Sequence, residues 1–240
     1  MSQQLNRREI ANRILLSLPW ATLERLMPIM TLVKTARGDV IDHLDKPIAN
    51  LYFVNQGIVS LVKTMRDGRS VEIEAVGIEG VTGPNVLFGV SSAVAESIVQ
   101  IPGSAYRIRR DALTEVFETD GTLRDVLERY AHHAISRIIQ NAACNRLHSL
   151  EERCCRWLLI AHDSALSDTF SLTHEFLAMM LGAQRAGVSI AAGFLQKAGY
   201  ISYTRGRVTI IDRGGLENAA CECYSTVRRQ LDELLPPPAR

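Results

Sequence analysis

Four basic side chains occupy a stretch of sequence that contains no acids. Between residues 176 and 211 there is no Asp or Glu, and the basic residues there are Arg185, Lys197, Arg205 and Arg207. Guanidinium and ammonium groups pair with phosphate, and Arg can also donate two hydrogen bonds to one guanine. A carboxylate nearby would repel a polyanion. The residue types in this stretch therefore predict contact with the phosphates and bases of DNA.

The whole-chain composition adds few constraints of its own. The 240 residues carry a net charge of only +1, so a basic footprint over the entire chain is excluded. We expect one large domain or two modest ones. No apolar run approaches the roughly 18–20 residues that a membrane span needs, so no membrane contact is expected. Five cysteines without disulfide-framework spacing favour a reducing, cytoplasmic setting.

The acid-free stretch has the pattern of two short helices joined by a tight turn. Thr173 stands where a helix N-cap is favoured, and Gly182 suits the left-handed residue that ends a helix. A second apolar periodicity begins near Arg185 and stops at Gly199. Two β-rich runs then flank an Arg-Gly turn. This order predicts a helix-turn-helix at about 173–198 and a wing at about 200–212.

A β domain is predicted before these helices. Glycines recur between short apolar or alternating segments from about 31 to 110, and Asp67-Gly68 separates two strand-like runs. Such a texture is typical of an antiparallel barrel or sandwich. In residues 1–30 the apolar side chains recur at helical spacing. The pattern of residues 111–150 predicts a short helix capped by Asp111, followed by a long helix. Residues 151–240 would form the last domain.

The long helix carries an apolar stripe at alternating spacings of three and four. A stripe of this kind packs on its own domain or pairs with a copy of itself, and the length of the helix favours self-pairing. The residues predicted to form this homodimer contact are Leu123, Leu127, Tyr130, Ala134 and Ile138.

In this order of parts the sequence resembles the CRP/FNR family of bacterial transcription regulators over nearly its whole length. "GDVIDHLDKPIANLYFVNQGIVSL" and "RDGRSVEIEAVGIEG" are similar to the family's β-roll, and "LTHEFLAMMLGAQRAGVSIAAGFLQKAGYI" to its helix-turn-helix. The resemblance implies an α+β fold with three parts: an N-terminal antiparallel β-roll (a double-stranded β-helix or jelly roll), a long central dimerisation helix and a C-terminal winged helix-turn-helix. It also implies a homodimer that binds a palindromic operator in double-stranded DNA and contacts RNA polymerase. It identifies no small-molecule effector.

The resemblance also suggests individual roles on the second helix. Arg185 falls at the family's guanine-reading arginine. Ala186 stands where a base-reading glutamate is common, and Ile190 where some members have a second arginine. The operator sequence therefore does not carry over from familiar members. The predicted DNA-contacting residues are Thr173, Gln184, Arg185, Ala186, Ser189, Ile190, Lys197, Arg205 and Arg207.

The β-roll segment departs from the family's cyclic-AMP-binding members. In those members a glycine-glutamate pair holds the ribose and an arginine-serine pair holds the phosphate. Here Val81 follows Gly80, and Glu96 precedes Ser97. A carboxylate in place of the phosphate's cation would repel the ligand. We therefore expect no binding of cyclic AMP.

Other chemistries find little support in the sequence. His174-Glu175 begins like H-E-x-x-H, but Ala178 replaces the second histidine, so a zinc protease is excluded on that motif. No nucleophile, base and acid can be assembled, so no enzyme activity and no cofactor are expected. The cysteines are interpreted as small buried hydrophobic residues rather than metal ligands, and His132, His133 and His148 as residues of a polar helix face.

Two classes of function remain open. The first is a sequence-specific DNA-binding regulator. The second is a β-roll regulatory or scaffold protein whose C-terminal helices contact a protein partner. Operator binding in a gel shift separates them.

Overall fold

The computed structural model describes residues 7–236, and the described chain begins with short helices. A 3₁₀ turn (Arg7–Glu9) precedes α1 (Arg13–Ser17) and α2 (Trp20–Leu26), and a second 3₁₀ turn follows at Met27–Ile29. Pro19 separates α1 from α2, since proline has no N–H to continue a helix. The predicted helical segment is thus interrupted, but six apolar residues that recur along it are buried: Ile14, Leu15, Leu18, Leu23, Leu26 and Met30.

An antiparallel five-stranded sheet forms the β-roll. Its strands are β1 (Met30–Thr35), β2 (Val40–Asp42), β3 (Asn50–Thr64), β4 (Ser70–Val76) and β5 (Glu96–Arg109). The order is β1-β5-β3-β4, with β2 also paired to β5. The predicted turn joins β3 to β4, where Gly68 has φ of 83°. A 3₁₀ turn at Pro84–Phe88 lies between β4 and β5. The predicted antiparallel β domain is confirmed.

Two helices follow the sheet. They are α3 (Arg110–Thr119) and the 27-residue α4 (Gly121–Leu147). Asp120 caps α4 by accepting a hydrogen bond from the Leu123 amide at 3.0 Å. Asp111 was predicted to cap the short helix, but it lies inside the first turn of α3, where its charge still suits the positive end of the helix dipole.

The predicted dimer stripe on α4 is wrong for four of its five residues. Leu123, Leu127, Tyr130 and Ala134 are at most 3% exposed in the single chain, so they have no surface to offer a partner. They pack into the core of the β-roll, and the Tyr130 hydroxyl donates to the carbonyl of Val81 at 3.1 Å. Helical spacing identified an apolar face correctly, but the body that covers this face is the chain's own sheet.

A second apolar stripe lies on the outer face of α4. Ile135, Ile138 and Ile139 are 49%, 38% and 65% exposed. Their spacing of three and four residues places them on one side of the helix. Ile138 is the one residue of the predicted dimer set that belongs to this exposed face.

A buried charge cluster joins α4 to the sheet. The Arg137 guanidinium pairs with Glu79 and donates to the Ala75 carbonyl, and its Nε lies 3.4 Å from a Glu74 oxygen without hydrogen-bond geometry. Burial raises the pKa of Glu74 to about 7. Burial also opposes ionisation of Glu79, but Arg137 and the Gly77 amide outweigh it and hold that pKa below its ordinary value. His133 was predicted on a polar face, but it is fully buried beside this cluster.

The remaining elements form the C-terminal unit. They are α5 (Leu150–Ala165), β6 (Thr169–Ser171), α6 (His174–Leu181), α7 (Arg185–Lys197), β7 (Ile201–Thr204), β8 (Arg207–Ile210), α8 (Arg213–Ala219) and α9 (Cys223–Leu234). A three-stranded sheet has the order β6-β8-β7. Its helices share one apolar core with Ile58, Ala75 and Ile101 of the β-roll. Within residues 7–236 no single helix has the length and apolar character to cross a membrane, although α6 and α7 together pass that test as a bent pair.

Candidate nucleic-acid interface

The turn between α6 and α7 is built by the residues that the sequence singled out. The Thr173 hydroxyl accepts a hydrogen bond from the Phe176 amide at 3.3 Å and so caps α6. Gly182 ends α6 with φ of 57°, a conformation that glycine adopts at little cost. The two helices are bent by 106° with respect to each other. Helix-turn-helix units typically have angles of about 90–120°.

The apolar side of α7 is fully used in packing. Val188, Ala191, Ala192 and Leu195 are buried in the C-terminal unit, where α7 packs against α5 and α6. Because these four residues fix one side of the helix, the opposite side must face outward. α7 is therefore a rigid helix with one open face.

Most of the predicted contact residues lie on that open face. Gln184, Arg185, Ala186, Ile190 and Lys197 are all exposed, and the first two stand at the N-terminal end of α7. This end is the one that enters the major groove in helix-turn-helix proteins. The Arg185 side chain is therefore exposed to solvent at the N-terminal end of α7.

Two of the predicted residues are already engaged within the chain. Ser189 is half-buried, and its hydroxyl is 2.9 Å from Nδ1 of His174. Thr173 is also half-buried, and its hydroxyl caps α6. Ser189 therefore joins α7 to α6, and Thr173 stabilises the start of α6, so any contact that they make with DNA would be additional to these structural roles.

His174 connects the helix-turn-helix to the wing, and sequence reasoning did not give it this role. Its ring lies 4.3 Å from the ring of Tyr203, centroid to centroid, and the Tyr203 hydroxyl donates to the Leu172 carbonyl at 2.6 Å. Burial and the nearby Arg185 charge lower the pKa of His174. A neutral His174 therefore helps to fix α7 relative to β7. The signal for this role is only its position beside a predicted N-cap.

The wing is a tight hairpin with both arginines at its tip. Arg205 and Gly206 have φ of 50° and 75°, the pair of positive values that a two-residue type I′ turn requires. Arg205 and Arg207 are exposed. The Gln196 side-chain oxygen accepts a hydrogen bond from the Tyr203 amide at 2.7 Å, which ties the hairpin to the last turn of α7. The wing thus presents its two cations at a fixed place beside the helix.

Apolar side chains also stand on the open face of α7. Ile190 is 71% exposed and Phe194, which was not predicted as a contact residue, is 60% exposed. Folding alone does not favour such exposure of large hydrophobic groups. In a major groove, apolar groups of this kind contact the methyl group of thymine.

The β-roll touches the helix-turn-helix directly. The Arg37 guanidinium lies 4.1 Å above the Phe176 ring and 3.5 Å from the Thr173 hydroxyl. The Trp157 indole N–H donates to Glu72 at 3.0 Å, which joins α5 to β4. These contacts connect the first turn of α6 to a loop of the β-roll, and α5 to a strand of its sheet.

The segment of the β-roll that was compared with nucleotide-binding members contains no cation. There is no Lys or Arg between residues 70 and 106. Val81 is fully buried in the core next to Phe53. The Glu96 carboxylate is 3.8 Å from His43. Lys63 approaches this region from β3, but its ammonium group donates to the Val94 carbonyl at 3.0 Å.

Comparison with known proteins finds two family models that match separate parts of the chain. Residues 32–120 match the model of the cyclic nucleotide-binding domain, and residues 152–219 match that of the Crp-like helix-turn-helix domain. Transcriptional regulator LdrP from Thermus thermophilus is 26% identical over 199 residues, which cover 77% of this chain and 94% of LdrP.

Solved structures share the fold. FixK2 from Bradyrhizobium japonicum has a TM-score of 0.67 at 18% identity, covering 80% of this chain and 98% of FixK2. A CRP-family regulator from Thermus thermophilus has a TM-score of 0.64 at 22% identity, covering 78% of this chain and 96% of that one. The two domain models in this order, the named relative and the shared fold confirm the resemblance to the CRP/FNR family of transcriptional regulators: a cyclic nucleotide-binding domain is followed by a Crp-like helix-turn-helix domain.

Proposed function

We propose that this protein is a homodimeric regulator that binds an inverted-repeat operator in double-stranded DNA without needing cyclic AMP. The observation that carries the proposal is the open, acid-free face of α7 with the two wing arginines beside it. An acid-free cationic surface of this shape suits a polyanion with a groove. The function needs no catalytic group, and a bacterial regulator of this kind acts in the cytoplasm.

Each part of this surface has a separate role. Arg185 reads a guanine at the N-terminal end of α7, and Lys197 contacts the backbone at its other end. Arg205 and Arg207 contact phosphates beside the groove. Ala186, Ile190 and Phe194 contribute apolar contacts, which favour a thymine-containing half-site over the half-sites read by family members with a base-reading glutamate.

The dimer contact is assigned to the exposed stripe Ile135, Ile138 and Ile139. Four of the five residues predicted first are buried in the protomer, whereas Ile138 and its two neighbours leave apolar area uncovered on a long helix. Pairing of two such helices covers that area and relates the two copies of α7 by a two-fold axis. The half-sites would then lie about 34–36 Å apart, or at a multiple of that spacing.

Independence from cyclic AMP rests on charge. A buried phosphate needs a compensating cation and hydrogen-bond donors. Residues 70–106 contain no Lys or Arg, and the Lys63 ammonium is already bound to a carbonyl. Calorimetry should show no binding of cyclic AMP at physiological concentration. A micromolar dissociation constant together with tighter operator binding would overturn this part of the proposal.

The central test is selection of bound DNA followed by titration. Sites enriched from a random pool should form an inverted repeat. Arg185→Ala should weaken binding to the selected site by about 1–3 kcal/mol and relax the preference at one base pair in each half-site. Unchanged affinity and unchanged preference would refute the assignment of Arg185.

Arg205→Asn provides the matched variant in the wing. Asn accepts positive φ more readily than Arg, so the turn should fold at least as well while losing its charge. We expect weaker binding to every sequence and a salt slope smaller by about one, with no change in base preference. A change in preference at a single base pair would contradict the assignment to the backbone.

One observation favours a second candidate, a scaffold whose α7 contacts a protein. Ile190 and Phe194 expose apolar surface of the kind that protein partners cover. The same DNA selection decides between the two. If no sequence is enriched and the affinity is the same for every DNA sequence and strongly salt-dependent, then α7 reads no bases. That result would favour the scaffold whose α7 contacts a protein. RNA polymerase remains the proposed partner of the DNA-bound dimer.

A further inference from the structure

Three cysteines and a histidine from distant parts of the sequence meet at one point. Cys144 and His148 are one turn apart at the end of α4, and Cys221 and Cys223 flank the start of α9. Their ligand atoms all lie within 4.8 Å of one another. The three cysteines are at most 4% exposed. The sequence predicts that the cysteines are small buried hydrophobic residues and that His148 lies on a polar helix face. Spacing alone does not show that the four residues meet, because 72 residues separate His148 from Cys221.

The distances match a tetrahedral zinc site. Zinc bonds of about 2.3 Å to sulfur and 2.0–2.1 Å to nitrogen place two sulfurs roughly 3.8 Å apart, and a sulfur and a nitrogen roughly 3.6 Å apart. The Cys144 and Cys221 sulfurs are 3.6 Å apart. The Cys223 sulfur is 3.6 Å from Nδ1 of His148. The set therefore needs only small movements to close around an ion.

The groups around these four residues are those that support a metal site. Nε2 of His148 is 3.0 Å from a Glu222 carboxylate oxygen. That contact fixes the ring and directs Nδ1 toward the cysteines, as a carboxylate does for a histidine that binds zinc. The Gln140 side-chain amide donates to the Cys223 sulfur at 3.0 Å, which stabilises negative charge on sulfur.

Ordinary packing does not explain the cluster. Cys144, Cys221 and Cys223 form a buried cluster of their own with no aliphatic or aromatic member, whereas Cys154 and Cys155 lie inside the large apolar core. A disulfide between Cys144 and Cys221 would need a sulfur separation of about 2.05 Å, well below the 3.6 Å present. Three thiols and an imidazole are also the donor set that selects zinc.

We propose that Cys144, His148, Cys221 and Cys223 bind one zinc ion that joins α4 to α9. His148 is the C-cap of α4, and Ser149 caps α5 directly after it. The ion would therefore hold the junction through which the central helix continues into the DNA-binding unit. It fixes the angle at which that unit leaves the central helix. The site does not depend on the proposed operator binding, since its test detects metal rather than DNA.

The test uses the full chain, purified without chelator under reducing conditions. Zinc measured by mass spectrometry should be about one per chain. The chelator-treated protein titrated with Co²⁺ should develop thiolate-to-cobalt charge-transfer bands and the intense visible bands of a tetrahedral site. Glu222→Gln, which keeps all four ligands, should weaken zinc binding about 10- to 100-fold.

Cysteine variants provide the matched comparison. Cys223→Ser should lose at least tenfold in zinc affinity, whereas Cys154→Ser, the same change at a buried cysteine outside the cluster, should keep the wild-type affinity. Circular dichroism checks that each variant is folded. If Cys223→Ser does not fold, the zinc affinity of Glu222→Gln still tests the proposal. A reduced, folded wild-type protein that retains no zinc and gives no cobalt bands would overturn the proposal. A Cys144–Cys221 disulfide in peptide mapping with no metal bound would also overturn it.

Discussion

Replacing Arg137 with methionine should destabilise the protein strongly and in a way that depends on pH. Arg137 is 6% exposed and faces two buried carboxylates, those of Glu74 and Glu79. An attraction at about 4 Å in a dielectric of about 20 is worth roughly 4 kcal/mol for each pair. Methionine also removes the cost of burying the guanidinium. The expected net loss is about 3–5 kcal/mol of unfolding free energy at pH 8.

The pH dependence follows from the carboxyl groups left behind. Without the guanidinium, the pKa values of Glu74 and Glu79 in the folded state should both rise above those in the unfolded chain. At pH values between the unfolded-state and folded-state pKa values, the folded variant binds more protons than the unfolded chain. Its free energy of unfolding therefore falls as the pH rises. The loss caused by Arg137→Met should be smallest near pH 5, where both groups approach neutrality, and largest at pH 8.

Urea denaturation at pH 5, 6.5 and 8 measures this loss. The double variant Arg137→Met, Glu79→Gln removes the carboxylate that depended most on the cation and should recover much of the stability at pH 8. A loss below about 1 kcal/mol, or one that is the same at all three pH values, would refute the reasoning that Arg137 compensates buried negative charge.

Three further changes test other parts of the structure. Burial lowers the pKa of His133 to about 4. The folded state therefore binds fewer protons at this group than the unfolded state does, and the free energy of unfolding falls as the pH drops from 6.5 toward 4. In urea titrations, His133→Leu should remove roughly 3 kcal/mol of this loss. A Cβ at Gly57 would lie 2.3 Å from the Ile101 carbonyl oxygen, so Gly57→Ala should lower the melting temperature strongly. Gly38 has a similar φ but open space around it, so Gly38→Ala should cost only about 1–2 kcal/mol and lower the melting temperature far less. Sedimentation should show that Ile139→Asp weakens the dimer at least tenfold, while Met65→Asp, at a similarly exposed apolar side chain, does not; equal effects would contradict the assigned stripe.

The helix-turn-helix was predictable because its signals are local. Thr173, Gly182 and the acid-free run that contains Arg185 all lie within about 40 residues, and each reports a backbone or charge requirement of its own neighbourhood. The wing follows the same rule, since Arg205-Gly206 marks a two-residue turn. The fold class was predictable for a related reason, because strand and helix periodicities differ along the chain.

The faces of α4 were not predictable in this way. Periodicity shows that Leu127 and Tyr130 share an apolar side, but it does not show which body covers that side. The answer depends on contacts with a strand and a loop that are distant in sequence, such as the bond from Tyr130 to Val81. The exposed stripe at Ile135 and Ile139 was overlooked because it is shorter and lies beside polar residues. The cysteine cluster was missed for the same physical reason, since its members meet only after α9 packs on α4.

The shared core limits how a signal could reach the DNA-binding unit. Ile58, Ala75 and Ile101 of the β-roll pack in one cluster with residues of α5, α6 and α7. The guanidinium of Arg37, also in the β-roll, packs against Phe176 in the first turn of α6. Close-packed interiors transmit displacement because they contain few voids that could absorb it. A ligand that changed the shape of the sheet would therefore have to shift α5 and α6 as well. Since Arg137 fixes α4 to the same sheet, the central helix and the helix-turn-helix must respond to that change together rather than through a flexible linker.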